Sequence, residues 1–264
     1  MDILSPISIS YSSADSKNAA IIFSKKSGYP CVSNNEINTQ LNLNYTNEFV
    51  ELRDMEKNIS IHIDFISGGL AHRQKYGGGR GQSIAKAIGL KQGIEPPTVL
   101  DATAGLAKDA FVLACLGCSM TLIERSPIIV ELIKDAIQRA ADDEHFQTIL
   151  ESGFKVINQS SIKHLTDLTN KALNNDDIPD VIYLDPMYPD KKKSASVKKN
   201  MQILQKLLGK DEDTQALLSA AMKVAKKRVV VKRPKGAESL TELKPTHTVE
   251  SKKTRYDVYI IPQT

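Results

Sequence analysis

The sequence predicts an α/β protein with a mostly parallel, doubly wound sheet, preceded by a small strand-rich appendage. Three observations carry this. From residue 98 onward, short apolar strand patterns alternate with amphipathic helical ones. Three of those strand patterns end in acidic residues or turn-forming loops, which is where open parallel sheets place their binding residues. The chain then closes with two period-two segments, 246–250 and 255–261, which predict a terminal antiparallel hairpin.

Each element has its own local reason. Residues 1–66 form the expected appendage. They are rich in Asn and Ser, with short apolar stretches at 3–9 and 19–23. Segments 49–52 and 59–65 alternate with period two around a polar turn at 53–58, which predicts a hairpin. The stretch 34–47 reads as loop or weak strand. Residues 67–97 read as a basic glycine-rich loop and a connecting helix, which starts after Gly81, runs through 83–88 and ends near Gly89. Pro96 and Pro97 mark the next boundary. The main domain, 98–264, has expected strands at 98–101, 120–124, 154–157, 180–185 and 228–232. Helices are expected at 108–116, 127–141, 198–208 and 214–225, with Pro127 suited to a first helical turn.

Composition bounds the function. The 264 residues are 41% hydrophobic and 25% charged, which excludes a chain disordered throughout. No apolar run approaches the ~18 residues of a membrane helix. Residues 1–10 have no basic stretch leading into an apolar one, so no signal peptide is expected. Three cysteines are too few for a disulfide framework and fit a reducing, cytoplasmic compartment. The formal charge is only +4, but its distribution is uneven. Basic residues gather at 223–235 (KVAKKRVVVKRPK), at 190–199 and at 73–80. Any one run is accounted for by a solvated face. Brought together, the three would make a phosphate-binding surface.

The chemistry begins at Asp101-Ala-Thr-Ala-Gly105-Leu-Ala-Lys108-Asp109. A glycine turn before a helix N-terminus allows close backbone approach by a ligand. The three-glycine dinucleotide fingerprint is absent. Glu124-Arg125 ends the next strand about twenty residues later, where an acid can accept hydrogen bonds from both hydroxyls of a ribose. Together these point to an adenosine-containing cofactor, either a nicotinamide dinucleotide or S-adenosylmethionine.

Asp185-Pro186-Met187-Tyr188-Pro189 decides between them. It resembles the Asp/Asn-Pro-Pro-Tyr/Phe loop of S-adenosylmethionine-dependent methyltransferases that act on planar amino groups. A carboxylate and rigidly held carbonyls favour the pyramidal, nucleophilic amine as charge develops. The aromatic side chain stacks on the base and aims it. With Leu-Ile-Glu-Arg-Ser-Pro, Lys-Arg-Val-Val-Val-Lys-Arg-Pro and the segment from Gly68 to Gly81, these motifs occur in one order. The chain over about residues 60–261 thereby resembles the bacterial small-subunit ribosomal RNA guanine-N2 methyltransferase family, which acts on guanosine 1516 of 16S RNA.

The resemblance implies a Rossmann-like, seven-stranded S-adenosylmethionine-dependent methyltransferase fold. It implies that Lys108, Asp109, Glu124, Arg125, Ser160, Ser161 and Asp185 hold the cofactor. Asp185, Pro186 and Tyr188 would be catalytic, with Tyr188 where Phe is more usual. Arg73, Lys75, Arg80, Lys191, Lys192, Lys193, Lys232 and Arg233 would grip RNA. The implied partner is 16S ribosomal RNA or the small ribosomal subunit, with no membrane. No metal is expected, because a sulfonium is already a strong electrophile. A DNA adenine-N6 methyltransferase is the nearest rival, and Asp rather than Asn at 185 leans toward guanine. A non-catalytic RNA-binding assembly protein and a nicotinamide oxidoreductase are rivals from other classes.

Other candidates carry less. Cys115 and Cys118 have the spacing of half a zinc site, without a second pair. His62 falls in a strand pattern and reads as structural, while His72 lies in the basic glycine-rich segment. The glycines at 77–81 lack the Lys-Ser/Thr of a phosphate-binding loop.

Overall fold

A computed structural model describes residues 7–67, 79–170, 178–187, 199–209, 213–238 and 240–262. These fall into two compact units. One comprises the described residues of 1–64, 126–140 and 188–210; the other comprises those of 65–125, 141–187 and 211–264.

The first unit is built on a four-stranded sheet in the order β1 (Ile7–Tyr11), β2 (Leu41–Tyr45), β3 (Val50–Asp54), β4 (Ile59–Ile61). β1 and β2 are parallel, and the other pairs are antiparallel. Helix α1 (Ala14–Ser27) connects the parallel pair. Ser13 caps its start in a capping box with Ser16, and Gly28, at φ 79°, ends it. The stretch expected to be loop or weak strand thus contains β2, buried at all five residues. Its Asn residues read as turn formers, but here they form a polar ladder. Ser10 Oγ donates to Asn42 and Asn44 Oδ1, each at 2.9 Å, and Asn42 Nδ2 donates to Ser8 Oγ at 3.0 Å. Ser8 and Ser10 lie on the neighbouring strand β1, so the buried polar atoms lose little on leaving water. The expected hairpin is present as β3 and β4, beyond which His62 stacks on Phe49 at 4.4 Å between ring centroids.

The second unit holds a seven-stranded sheet. Its strands are β5 (Val99–Asp101), β6 (Met120–Glu124), β7 (Phe154–Asn158), β8 (Val181–Leu184), β9 (Arg228–Pro234), β10 (His247–Glu250) and β11 (Thr254–Ile260). Their spatial order is β10-β11-β9-β8-β5-β6-β7. β7, β6, β5, β8 and β9 are parallel, and β11 pairs antiparallel with both β9 and β10. This is the expected mostly parallel sheet with its terminal hairpin. The chain runs outward from β5 to β7, then crosses back to β8 on the other side of β5. That reversal opens a crevice beyond the carboxyl ends of β5 and β8.

Helices α2 (Ser83–Ile88), α3 (Lys108–Cys115), α4 (Pro127–Ala140), α5 (Glu144–Glu151), α6 (Ser161–Asn170), α7 (Lys199–Leu208) and α8 (Thr214–Val224) complete the described elements. α4 belongs to the first unit, where Glu131 accepts the Tyr45 hydroxyl at 2.8 Å. α5 and α6 were not expected. Asp143 caps α5 by accepting the Phe146 amide at 2.9 Å. In the second unit, Leu100, Ile182, Leu184, Val229 and Val231 form a core with Leu217, Leu218 and Ala221 of α8. Phe65, Phe111 and Phe146 stack in a second cluster, which Phe154 meets edge-on. Among the described residues, no helix is long and apolar enough to cross a membrane.

Candidate active site at the carboxyl edge of the seven-stranded sheet

Strand register assembles the site. β8 pairs with β9 so that Leu184 faces Val231; β8 ends there, and the next residue, Asp185, lies beside Lys232, which continues in β9 opposite Tyr256 of β11. Lys232 Nζ donates to Asp185 Oδ2 and to Asp109 Oδ2, each at 2.7 Å. Asp109, in the first turn of α3, also accepts the Tyr183 hydroxyl at 2.7 Å. The Asp185 amide donates to Thr103 Oγ1 at 2.6 Å, and the Thr103 amide donates to Asp101 Oδ1 at 2.9 Å. One hydrogen-bonded chain therefore joins β5, α3, β8 and β9.

The turn between β5 and α3 is tight. Gly105 sits at φ 50°, where a glycine costs little. Ala107 sits at φ 55° and is fully buried, so the strain of a left-handed Ala is held by the surrounding structure. The Gly105 amide donates to Glu124 Oε2 at 3.1 Å. This contact ties the turn to the end of β6 and buries the Glu124 carboxylate to 6% exposure.

Burial and crowding set the charges. Loss of solvation pushes the Asp101 carboxyl up to about 7, with Asp109 and Asp185 adding and Thr103 opposing. Loss of solvation also raises Asp185, against the attraction of Lys232 and with repulsion from Asp109. Burial alone would lower Lys232, but the two carboxylates outweigh it and hold the ammonium well above its ordinary value. Tyr183 is raised by burial and the same carboxylates, and stays a neutral donor. Two carboxylates, Asp109 and Asp185, face the one Lys232 ammonium, so the crevice keeps an excess of negative charge that suits a positively charged ligand.

The other sequence-derived residues fall as follows. Pro186 follows Asp185 directly. Lys108 is exposed at the start of α3. Arg125 lies 3.9 Å from Asp213, both about half exposed. Ser160 is exposed, whereas the Ser161 hydroxyl donates to the Ala102 carbonyl at 2.6 Å and so braces the end of β5. Arg80 donates to the Lys91 carbonyl at 2.6 Å. Tyr188, Arg73, Lys75, Lys191, Lys192 and Lys193 lie outside the described residues.

Two RNA contacts expected from the sequence stand differently in the structure. Lys232 is engaged by two carboxylates. Arg233 is only 5% exposed and donates to the Glu238 carbonyl. Both come from one basic run, but strand alternation sends neighbouring side chains to opposite faces, so a run in sequence is not a patch in space. Thr103 and Tyr183 were missed. Tyr183 looked like strand core, and only its place opposite Asp101 on β5 marks it out. The Cys115 and Cys118 thiols are pushed up to about 12 by burial. Among the described residues, no three His, Cys, Asp or Glu side chains gather as a metal set.

The family model described as putative SAM-dependent methyltransferase matches residues 29–261. Ribosomal RNA small subunit methyltransferase J of Aeromonas salmonicida is 50% identical over 224 residues, covering 84% of this chain and 87% of that one. Its namesake in Shewanella loihica is 49% identical, over 79% of this chain and 77% of that one. The crystal structure of a SAM-dependent methyltransferase from Neisseria gonorrhoeae matches with a TM-score of 0.73 at 31% identity, over 97% of each chain. The chain therefore belongs to the ribosomal RNA small subunit methyltransferase J family of S-adenosylmethionine-dependent methyltransferases.

Proposed function

We propose that the protein transfers a methyl group from S-adenosylmethionine to the exocyclic N2 of a guanosine in 16S ribosomal RNA, at position 1516, in the cytoplasm. The observation that carries this reading is the Asp185 carboxylate. It leaves β8 directly before Pro186, is held by Lys232 and Thr103, and keeps its side chain 39% exposed toward the crevice. The names of the relatives supply the substrate class.

The residues at this edge fit the cofactor. Glu124 is a buried carboxylate at the end of β6, a hydrogen-bond acceptor of the kind that ribose hydroxyls require. Asp109 and Asp185 against the single charge of Lys232 leave an excess of negative charge for a sulfonium and an ammonium. Lys108, Arg125, Ser160 and Ser161 complete the proposed cofactor set. When bound, the cofactor supplies an electrophilic methyl group.

The protein's part is orientation and proton handling. Asp185 accepts an N–H of the target amine, which favours the geometry with an available lone pair. As positive charge grows on that nitrogen, the same carboxylate stabilises it and takes the proton. Pro186 fixes the backbone that follows, and Tyr188 stacks on the base. A paired guanine cannot present its amino group here, so the base is extruded or single-stranded. Arg73, Lys75, Arg80 and Lys191–Lys193 are the proposed phosphate contacts.

The test is transfer of tritiated methyl to undermethylated small subunits and to free 16S RNA, followed by mapping of the modified base. Asp185→Ala serves as the inactive arm. Label at guanine N2 of one nucleotide is expected. Label on adenine, or none on ribosomal RNA with a folded, cofactor-binding protein, would overturn the reading.

A further inference from the structure

Lys232 has no place among phosphate contacts, because its ammonium lies between two carboxylates of the site. We propose that Lys232 is a positioning residue for methyl transfer, fixing the Asp185 carboxylate and keeping it ionised by bridging it to Asp109. This rests on the reading of Asp185 as the group that receives the target amine.

Geometry carries the argument. Lys232 Nζ is 2.7 Å from Asp185 Oδ2 and 2.7 Å from Asp109 Oδ2. The β8–β9 register places it there, one step beyond the Leu184–Val231 pair. Arg233, next in the chain, is buried on a contact with the Glu238 carbonyl, so the two basic residues have separate roles. The Asp185 amide is held independently by Thr103, which leaves the carboxylate as the part that Lys232 orients.

The charge balance explains why a cation is needed. Asp185 is faced by Asp109 from α3, Asp101 from the β5 end, Lys232 from β9 and the Tyr183 hydroxyl on β8, with Tyr256 of β11 beside Lys232. Carboxylates that share a site cannot all ionise without a compensating charge. Lys232 is that charge for both Asp109 and Asp185. An opposite charge at such range moves a carboxyl by about 1–3 pH units. Without it, Asp185 holds its proton to higher pH and can no longer accept from the amine.

The experiment compares wild type with Lys232→Gln and Lys232→Arg. Rates are measured from pH 5.5 to 9 on small-subunit RNA at saturating substrates. In parallel, the Asp185 carboxyl is titrated by carbon-13 NMR in the free protein. The Gln variant is expected to shift the acid limb and the NMR midpoint upward by about 1–3 units. The Arg variant keeps the charge and should restore both. RNA KM and its salt dependence should stay unchanged. A uniform loss of rate with neither midpoint moved would overturn the proposal. So would a raised RNA KM with a flattened salt slope, which would return Lys232 to the phosphate contacts. If wild type fails to methylate ribosomal RNA, the functional reading fails while the NMR midpoint still decides the role of Lys232. Lys232→Met replaces the Gln variant if that chain does not fold. Asp109→Asn, which leaves Lys232 to Asp185 alone, should move the midpoint downward.

Discussion

The backbone amide of Asp185 donates to the hydroxyl of Thr103 at 2.6 Å, and so ties the end of β8 to the turn that follows β5. The two residues are 82 positions apart in sequence and lie on the two walls of the crevice. Thr103 is in turn held by Asp101, so the position of the proposed catalytic carboxylate depends on the first turn of the sheet.

Thr103→Val keeps the shape and removes the acceptor. A part-buried amide left without a partner costs on the order of 1–3 kcal/mol. Urea unfolding of this variant should show a loss in that range, with a matching fall in methylation rate, while Thr103→Ser should keep both. Stability and rate indistinguishable from wild type in the Val variant would show that the tie is dispensable.

Glu124→Ala should act on cofactor affinity. Its carboxylate holds the Gly105 amide and, in the proposed complex, two ribose hydroxyls. Charge-assisted hydrogen bonds are worth roughly 1.5–3 kcal/mol each. Calorimetric binding of S-adenosylhomocysteine should weaken by about 100-fold or more. An unchanged dissociation constant in a folded variant would remove Glu124 from the cofactor site.

Much of this arrangement was legible in the sequence. The parallel strands are short, apolar and bounded by turn residues, so β5, β6, β7, β8 and β9 could be placed to within two residues or so. Asp101, Glu124 and Asp185 stood out because an acid at the end of an apolar strand has no packing reason to be there. The rest depends on long-range pairing. The β2 stretch reads only as loop or weak strand because Asn42 and Asn44 favour turns locally, whereas Ser8 and Ser10 on β1 satisfy them as a strand. Lys232 was grouped with its basic neighbours because only the register with β8 sets it beside Asp185.

Asp101 gives the protein a distinctive pH dependence. Its folded-state carboxyl is pushed up to about 7, above its ordinary value, mainly by burial. The folded state therefore binds more protons than the unfolded chain between roughly pH 4 and 7. The contribution of this group to stability is present below that window and declines as pH rises through it. Asp101→Asn keeps an acceptor for the Thr103 amide and cannot ionise. Relative to wild type, the Asn variant should thus gain stability as pH goes from 5 to 8. Urea unfolding at both pH values checks this, and a constant difference between the two proteins would mean that Asp101 does not titrate in that range.

The basic segment after the proposed catalytic loop should govern RNA affinity through phosphate neutralisation. Lys191, Lys192 and Lys193 follow Asp185-Pro186-Met187-Tyr188-Pro189 closely in the sequence. Each single-strand phosphate contact contributes about −0.7 to the slope of log affinity against log salt. Replacing all three by Gln should make that slope shallower by about 2 and weaken binding at low salt most. Cofactor affinity should not change, because the proposed cofactor contacts lie on other segments. Fluorescence anisotropy with a single-stranded 16S fragment, repeated across a salt series, gives both quantities. A triple variant with wild-type affinity and slope would mean that these lysines only solvate the surface, and the phosphate footprint would then have to be sought at Arg73, Lys75 and Arg80.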